Sequence, residues 1–174
     1  ATQFINNADM RDLAESNNFI VVYPQGLDLG GTGSHWNCSN PSADNKSDVD
    51  DIGFIENLID QLILDYPVID SKRIYAAGYS NGGFMSYYLA CNSKKFAAIG
   101  SVAGTMLDDS YQSCNANFPT AMINIHGTND FDVPYDGNTY YPSIPEVVDW
   151  WKNFNNTPNE DLLTNQDGSI EQYK

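Results

Sequence analysis

The chain has 174 residues, 41% of them hydrophobic, which suffices for one domain with a packed core. A net charge of −15 and an isoelectric point near 4.1 exclude binders of nucleic acid or anionic membrane, whose phosphate contacts need Lys and Arg. The acidity reads instead as a solvated surface. No apolar run approaches the roughly 20 residues that cross a bilayer. No stretch reads as a signal peptide, and the start at Ala1 reads as a processed, cloned or truncated beginning.

In chain order, residues 8–14 place Ala, Met and Leu on one face and read as a short helix. "FIVVYP" (residues 19–24) is a continuous apolar run, β-branched at its centre and closed by proline, and reads as a buried strand. A polar loop follows to about Asp50. Ile55, Leu58, Ile59, Leu62 and Ile63 recur at helical spacing, with Asp50 or Asp51 as cap and Pro67 as terminator. "RIYAAGY" (73–79) reads as a strand, residues 84–91 as a helix, and "FAAIGSVAG" (96–104) and "AMINIHG" (121–127) as strands. Ser143 and Glu146 form a capping box ahead of a helical stripe of Val147, Val148, Trp151 and Phe154. Strands alternating with helices predict an α/β fold, a mostly parallel sheet with helices on both faces. Its sites form at the carboxyl ends of the strands, which puts "GYSNGG" and "HGTNDFD" on one rim.

"GYSNGG" fits G-x-S-x-G between a strand and a helix, the context of a nucleophile elbow. Ser80 is the candidate nucleophile, on a strained turn that lifts its hydroxyl above the sheet. Gly78 and Gly82 flank it, where side chains are expected to collide across the turn. The backbone amide of Asn81 opens the next helix and is the candidate oxyanion donor. The acid is expected beyond a later strand, and "INIHGTNDFDVPY" offers Asp130 and Asp132, between which spacing does not choose. The two histidines fit the order Ser, acid, His poorly. His35 precedes the serine, and His126 precedes the acid and reads as structural, bonded to loop backbone. Within these residues the triad is incomplete.

No cysteine pair has CxxC spacing, which argues against zinc. Cys91 and Cys114 are one open disulfide pairing, with Cys38 left over. "DNKSDVDD" (44–51) lacks the glycine and spaced glutamate of an EF-hand, so no metal is expected. No organic cofactor is implied either.

Taken together, "VVYPQG", "DDIGFIENLID", "RIYAAGYSNGGFMSYYLAC", "FAAIGSVAGTM" and "INIHGTNDFDVPYDG" resemble secreted polyhydroxybutyrate depolymerase-like esterases. That group is similar to feruloyl and acetylxylan esterases, all with the α/β-hydrolase fold. The resemblance runs from about Ala8 to Phe154. It implies that Ser80 is the nucleophile, Asn81 an oxyanion donor, and Asp130 rather than Asp132 the acid. It also implies a Cys91–Cys114 disulfide and an extracellular or periplasmic protein. Trp36 in "HWN" is either an aromatic at the mouth of the site or a loop-packing residue. Tyr135, Tyr140 and Tyr141 either stack on a substrate or pack. The implied activity is hydrolysis of a polyester or a plant cell-wall ester. The alternatives are a serine peptidase of the same fold and an inactive carbohydrate-binding relative.

Family members carry an HG-containing oxyanion loop before the first helix here and a histidine after a last strand. Residues 1–174 are therefore expected to be a fragment of one catalytic domain, incomplete at both ends. The strand that bears the oxyanion loop is expected between "FIVVYP" and "RIYAA", and its loss leaves ladder edges unpaired. Residues 1–174 alone are thus expected to be poorly stable and to leave p-nitrophenyl esters unhydrolysed. Turnover by this chain that Ser80→Ala abolishes would overturn that expectation.

Overall fold

The computed structural model describes residues 2–29, 33–40, 47–157, 162–164 and 171–173. Their centre is a three-stranded parallel sheet of β3 (Tyr75–Tyr79), β4 (Ala98–Val102) and β5 (Ala121–Ile125), side by side in chain order. The register aligns Tyr75 with Ala98 and Ala98 with Ala121. Between these strands run α4 (Asn81–Asn92) and the short α5 (Asp108–Ser113). The 15-residue α3 (Asp51–Asp65) precedes the sheet and α6 (Ile144–Phe154) follows it. Two small antiparallel pairs lie outside this unit: β1 (Leu27–Asp28) with β2 (Ser34–His35), and β6 (Leu162–Thr164) with β7 (Glu171–Tyr173). The α/β class expected from the alternation is the one observed.

The local signals act where the sequence places them. Asp50 caps α3 by accepting the Gly53 N–H, and the helix stops at Asp65, just ahead of Pro67. Ser143 and Glu146 make both halves of the capping box on α6.

Three expectations differ from the structure. Helices are expected on both faces of the sheet, and the face of Tyr75, Tyr79, Val102, Ile123 and Ile125 is exposed. The first helical segment is α2 (Arg11–Asn17), preceded by a separate helix α1 (Thr2–Asn7), instead of one helix over 8–14. Asp9 stands between them, with Oδ1 accepting the Arg11 N–H, and Asn18 ends α2 in the left-handed region at φ 55°. The run at 19–24 forms no ladder among the described residues, and Phe19, Ile20 and Val22 are exposed. Strand propensity is realised through pairing and burial, and this run has no pairing among the described residues and only partial burial, at Val21, Tyr23 and Pro24. It is anchored by Phe19 N, which donates to the Ala14 carbonyl, and by Tyr23, whose hydroxyl accepts from Met10 N and donates to the Ala8 carbonyl.

The core lies between the sheet and the helices. Period-2 alternation turns Ser101 and Asn124 toward α4, where Asn124 Nδ2 donates to the Tyr87 hydroxyl at 3.0 Å. On the opposite face Tyr75, Tyr79, Val102, Ile123 and Ile125 are exposed. Tyr87 of α4 and Trp151 of α6 are both fully buried, with ring centroids 6.1 Å apart. Burial pushes the Tyr87 phenol far up, so it stays a neutral donor and acceptor. Cys91, near the far end of α4, is disulfide-bonded to Cys114, just after α5. Cys38 is buried and outside any disulfide.

Cys91 and Cys114 are 23 residues apart, and a loop of that size restricts the unfolded chain by about 3 kcal/mol. Cys114→Ser is expected to lower unfolding free energy by about that amount, measured by urea denaturation. An unchanged midpoint would show that the bridge carries no stability.

Candidate active site

β3 ends at Tyr79 and α4 begins at Asn81, so Ser80 alone makes the turn. Its backbone sits at φ 52° and ψ −119°, a region that a residue with a side chain occupies only under strain, of order 1–3 kcal/mol. The turn is held from three directions. Ser80 N donates to the Val102 carbonyl at 2.8 Å, and the Ser80 carbonyl accepts from Gly83 N and Phe84 N. The strands and α4 are then close enough that glycine is required. A Cβ on Gly78 would strike the backbone of Gly82. One on Gly83 would meet Ser101 Oγ at 2.5 Å, and one on Gly104 would meet the Ser80 carbonyl oxygen at 2.7 Å.

The collision expected at Gly78 is thus present, and the one expected at Gly82 is not. A Cβ on Gly82 would meet nothing within 4 Å. Gly83 is the second crowded position of the motif, pressed against the loop after β4. Gly104 and the neighbouring Ala103, at φ 49°, complete the contact, and sequence reasoning missed both. The "AG" after a strand was a signal for Gly104. Ala103 carries none.

The N–H of Asn81 heads α4, where a helix provides no internal acceptor and its dipole is positive. The carboxamide of the same residue reaches the segment after β2. Its Oδ1 accepts from Trp36 N at 2.7 Å, and its Nδ2 donates to the Trp36 carbonyl at 3.0 Å. His35 Nε2 lies 3.4 Å and Cys38 Sγ 3.6 Å from that same Nδ2. The Trp36 ring is half-buried and stacks on Phe54 of α3, with centroids 6.4 Å apart.

β5 ends on the same carboxyl edge, and the chain turns there through Asp130. Its Oδ1 accepts from Val133 N at 2.9 Å and Asp132 N at 3.0 Å. The first of these bonds, to the Val133 amide, is the main cause that lowers its pKa below the usual 3.8, with the Asp132 amide and His126 helping. Asp132 is exposed and contributes its backbone N–H to this turn. The His126 side chain is 1% exposed, and its Nε2–H donates to the Val133 carbonyl at 2.8 Å. Asp130 Oδ2 stands 3.6 Å from that nitrogen, beyond a direct hydrogen bond. Nδ1 of His126 is buried without a hydrogen-bond partner among the described residues. His126 has the loop contact expected of it.

Of the tyrosines, Tyr141 packs on Phe84 at 5.4 Å, Tyr135 lies beside His126, and Tyr140 is exposed. Part of "DNKSDVDD", residues 44–46, lies outside the described residues. Asp50 and Asp51 of that stretch engage Gly53 N and Asn37 N with their carboxylates. Among the described residues no group of three His, Cys, Asp or Glu could hold a metal ion.

Residues 7–118 match the model of the prolyl oligopeptidase family. The chain is 32% identical over 127 residues to a bifunctional acetylxylan esterase/xylanase of Neocallimastix patriciarum, covering 72% of this chain and 16% of that protein. It is 35% identical over 120 residues to a probable feruloyl esterase C of Aspergillus niger, covering 68% and 38% respectively. With feruloyl esterase B of Piromyces equi the identity is 32% over 142 residues, covering 79% and 25%. The chain thus spans 16% to 38% of the length of these relatives.

The depressed pKa of Asp130 has a signed consequence. A carboxyl whose folded pKa lies below its unfolded value stabilises the fold above that unfolded value, and the contribution is lost as pH falls through the folded one. The melting-temperature gap between wild type and Asp130→Asn is expected to be full at neutral pH and to close as pH falls below about 3.8. A gap that stays constant from pH 7 to pH 3 would refute it.

Proposed function

The chain belongs to the prolyl oligopeptidase family, and from that premise we propose that it is part of the catalytic domain of a serine carboxylic-ester hydrolase acting on plant cell-wall esters. The observation that carries the reading is the strained backbone of Ser80 at a strand-to-helix turn, closed beneath by Gly78, Gly83 and Gly104. A serine with no chemical task has no reason to keep φ 52° where glycine would be free of strain. The family name alone leaves peptides and esters open. Relatives named feruloyl esterase and acetylxylan esterase favour the ester, with a feruloyl or acetyl group as the acyl part.

In this mechanism Ser80 attacks the ester carbonyl and forms an acyl-enzyme, which water then cleaves. The N–H of Asn81 stabilises the oxyanion together with a second donor, each worth roughly 3 kcal/mol. Asp130, kept ionised by the Val133 and Asp132 amides, orients the histidine that accepts the Ser80 proton. Neither His35, which precedes the serine in the chain, nor His126 is read as that histidine. His126 is closed into the loop by its bond to Val133, and the relatives are several times longer than the matched region. No metal or cofactor takes part. The Cys91–Cys114 disulfide supports an oxidising compartment, extracellular or periplasmic.

An organophosphonate is expected to add to Ser80 in the full-length protein, seen by intact mass, and Ser80→Ala is expected to prevent it. The same substitution is expected to lower kcat on aryl esters by more than about 10⁴-fold. No adduct, under conditions that label a control hydrolase, would sink the reading. Peptide anilides cleaved faster than aryl esters would turn it toward a peptidase.

A further inference from the structure

The carboxamide of Asn81 bonds both backbone groups of Trp36, accepting its N–H and donating to its carbonyl. This is the two-point pairing that a neighbouring strand would make, provided by one side chain 45 residues away in sequence. An amide NH₂ has two protons. One goes to the Trp36 carbonyl, which leaves one for His35 Nε2 or Cys38 Sγ, both at longer range. Every hydrogen-bonding atom of this carboxamide is therefore directed at residues 35–38.

The same segment is fixed further along by other helices. Asp51, a buried carboxylate at the start of α3, accepts the Asn37 N–H at 2.7 Å. Asp109 of α5 accepts the Asn40 N–H at 2.6 Å. Gly26, ahead of β1, leaves room for the His35 carbonyl, which a Cβ there would meet at 2.5 Å. Asp51 and Asp109 hold the segment to the body of the protein. Asn81 holds it to the residue that follows Ser80, and so to the elbow itself.

We propose that the Asn81 side chain is a positioning residue that fastens residues 35–38 to the turn of Ser80, making this segment a fixed wall that selects esters by the size of the group bound there. The proposal rests on the esterase reading above and adds to it the determinant of substrate fit. It separates two tasks in one residue. The backbone N–H faces the reacting oxygen, and the carboxamide sets the wall. A substitution at Asn81 leaves the first group in the chain and removes the second.

The test compares wild type, Asn81→Ala and Asn81→Asp in the full-length protein. Asp keeps the acceptor for Trp36 N–H and loses the donor to the carbonyl, so it is the partial-rescue variant. Two quantities are read: KM and kcat for a bulky aryl ester against p-nitrophenyl acetate, and amide exchange of a peptide covering residues 34–38 by mass spectrometry. The expected result is faster exchange at 34–38 in the Ala variant, with Asp intermediate. KM for the bulky ester is expected to rise roughly tenfold, a larger change than that in kcat or in either constant for the acetate. Unchanged exchange, or equal KM changes for large and small esters, would overturn the proposal while leaving the esterase reading in place. If the wild type neither turns over esters nor labels at Ser80, the esterase reading fails and the selectivity role fails with it. The exchange arm still decides whether the clasp exists.

Discussion

The closeness of three backbone segments at the end of β3 governs everything built around it. Gly78 lies on Gly82, Gly83 on the Ser101 side chain, and Gly104 on the carbonyl of Ser80. A side chain at Gly78, Gly83 or Gly104 would push the head of α4 away from the sheet. The strained Ser80 backbone is tolerable because this contact over-determines it. Hydrogen bonds from Ser80 N to Val102, and from Gly83 and Phe84 to the Ser80 carbonyl, fix both sides of the turn. Ser101 Oγ and Asn124 Nδ2 both donate to the Gly104 carbonyl from below. The polar residues of the middle and last strands thus set the height of the loop on which Ser80 rests.

Much of this framework was legible because its signals are local. Periodicity and caps define α3 and α6, and apolar runs between turn residues define β3, β4 and β5. These features follow from a few residues each and need no distant partner. "FIVVYP" shows the limit. Its composition states what it would do if paired, and pairing is a tertiary fact. The position of the first helix was similarly misjudged, since the Asp9 turn and the left-handed Asn18 outweighed the apolar spacing of 8–14.

The site divides along the same line. G-x-S-x-G between a strand and a helix points to Ser80 and its turn. It does not tell which glycine is crowded, because the crowding at Gly83 comes from the loop after β4. Nor does it foretell the Asn81 carboxamide, whose partners at 35–38 are brought near only by folding. Asp130 was separated from Asp132 by resemblance. The structure adds that the Asp130 carboxylate organises the turn, whereas Asp132 offers that turn its N–H. A carboxylate with amide donors is both a turn residue and a poised anion, so the two readings of such a position are compatible.

α4 is secured at both extremities. Its first turn is locked into the glycine contact, and its last turn carries Cys91, bonded covalently to Cys114. Just beyond it, Ser93 Oγ donates to Glu56 of α3, and Lys95 pairs with Asp60 of the same helix. A rod pinned at both ends does not slide along its own axis. Helices advance 1.5 Å per residue, so even a slip of one position would lift Ser80 by more than half a hydrogen-bond length. The disulfide therefore braces, about three turns away, the far end of the same helix whose first turn holds the strained Ser80 backbone.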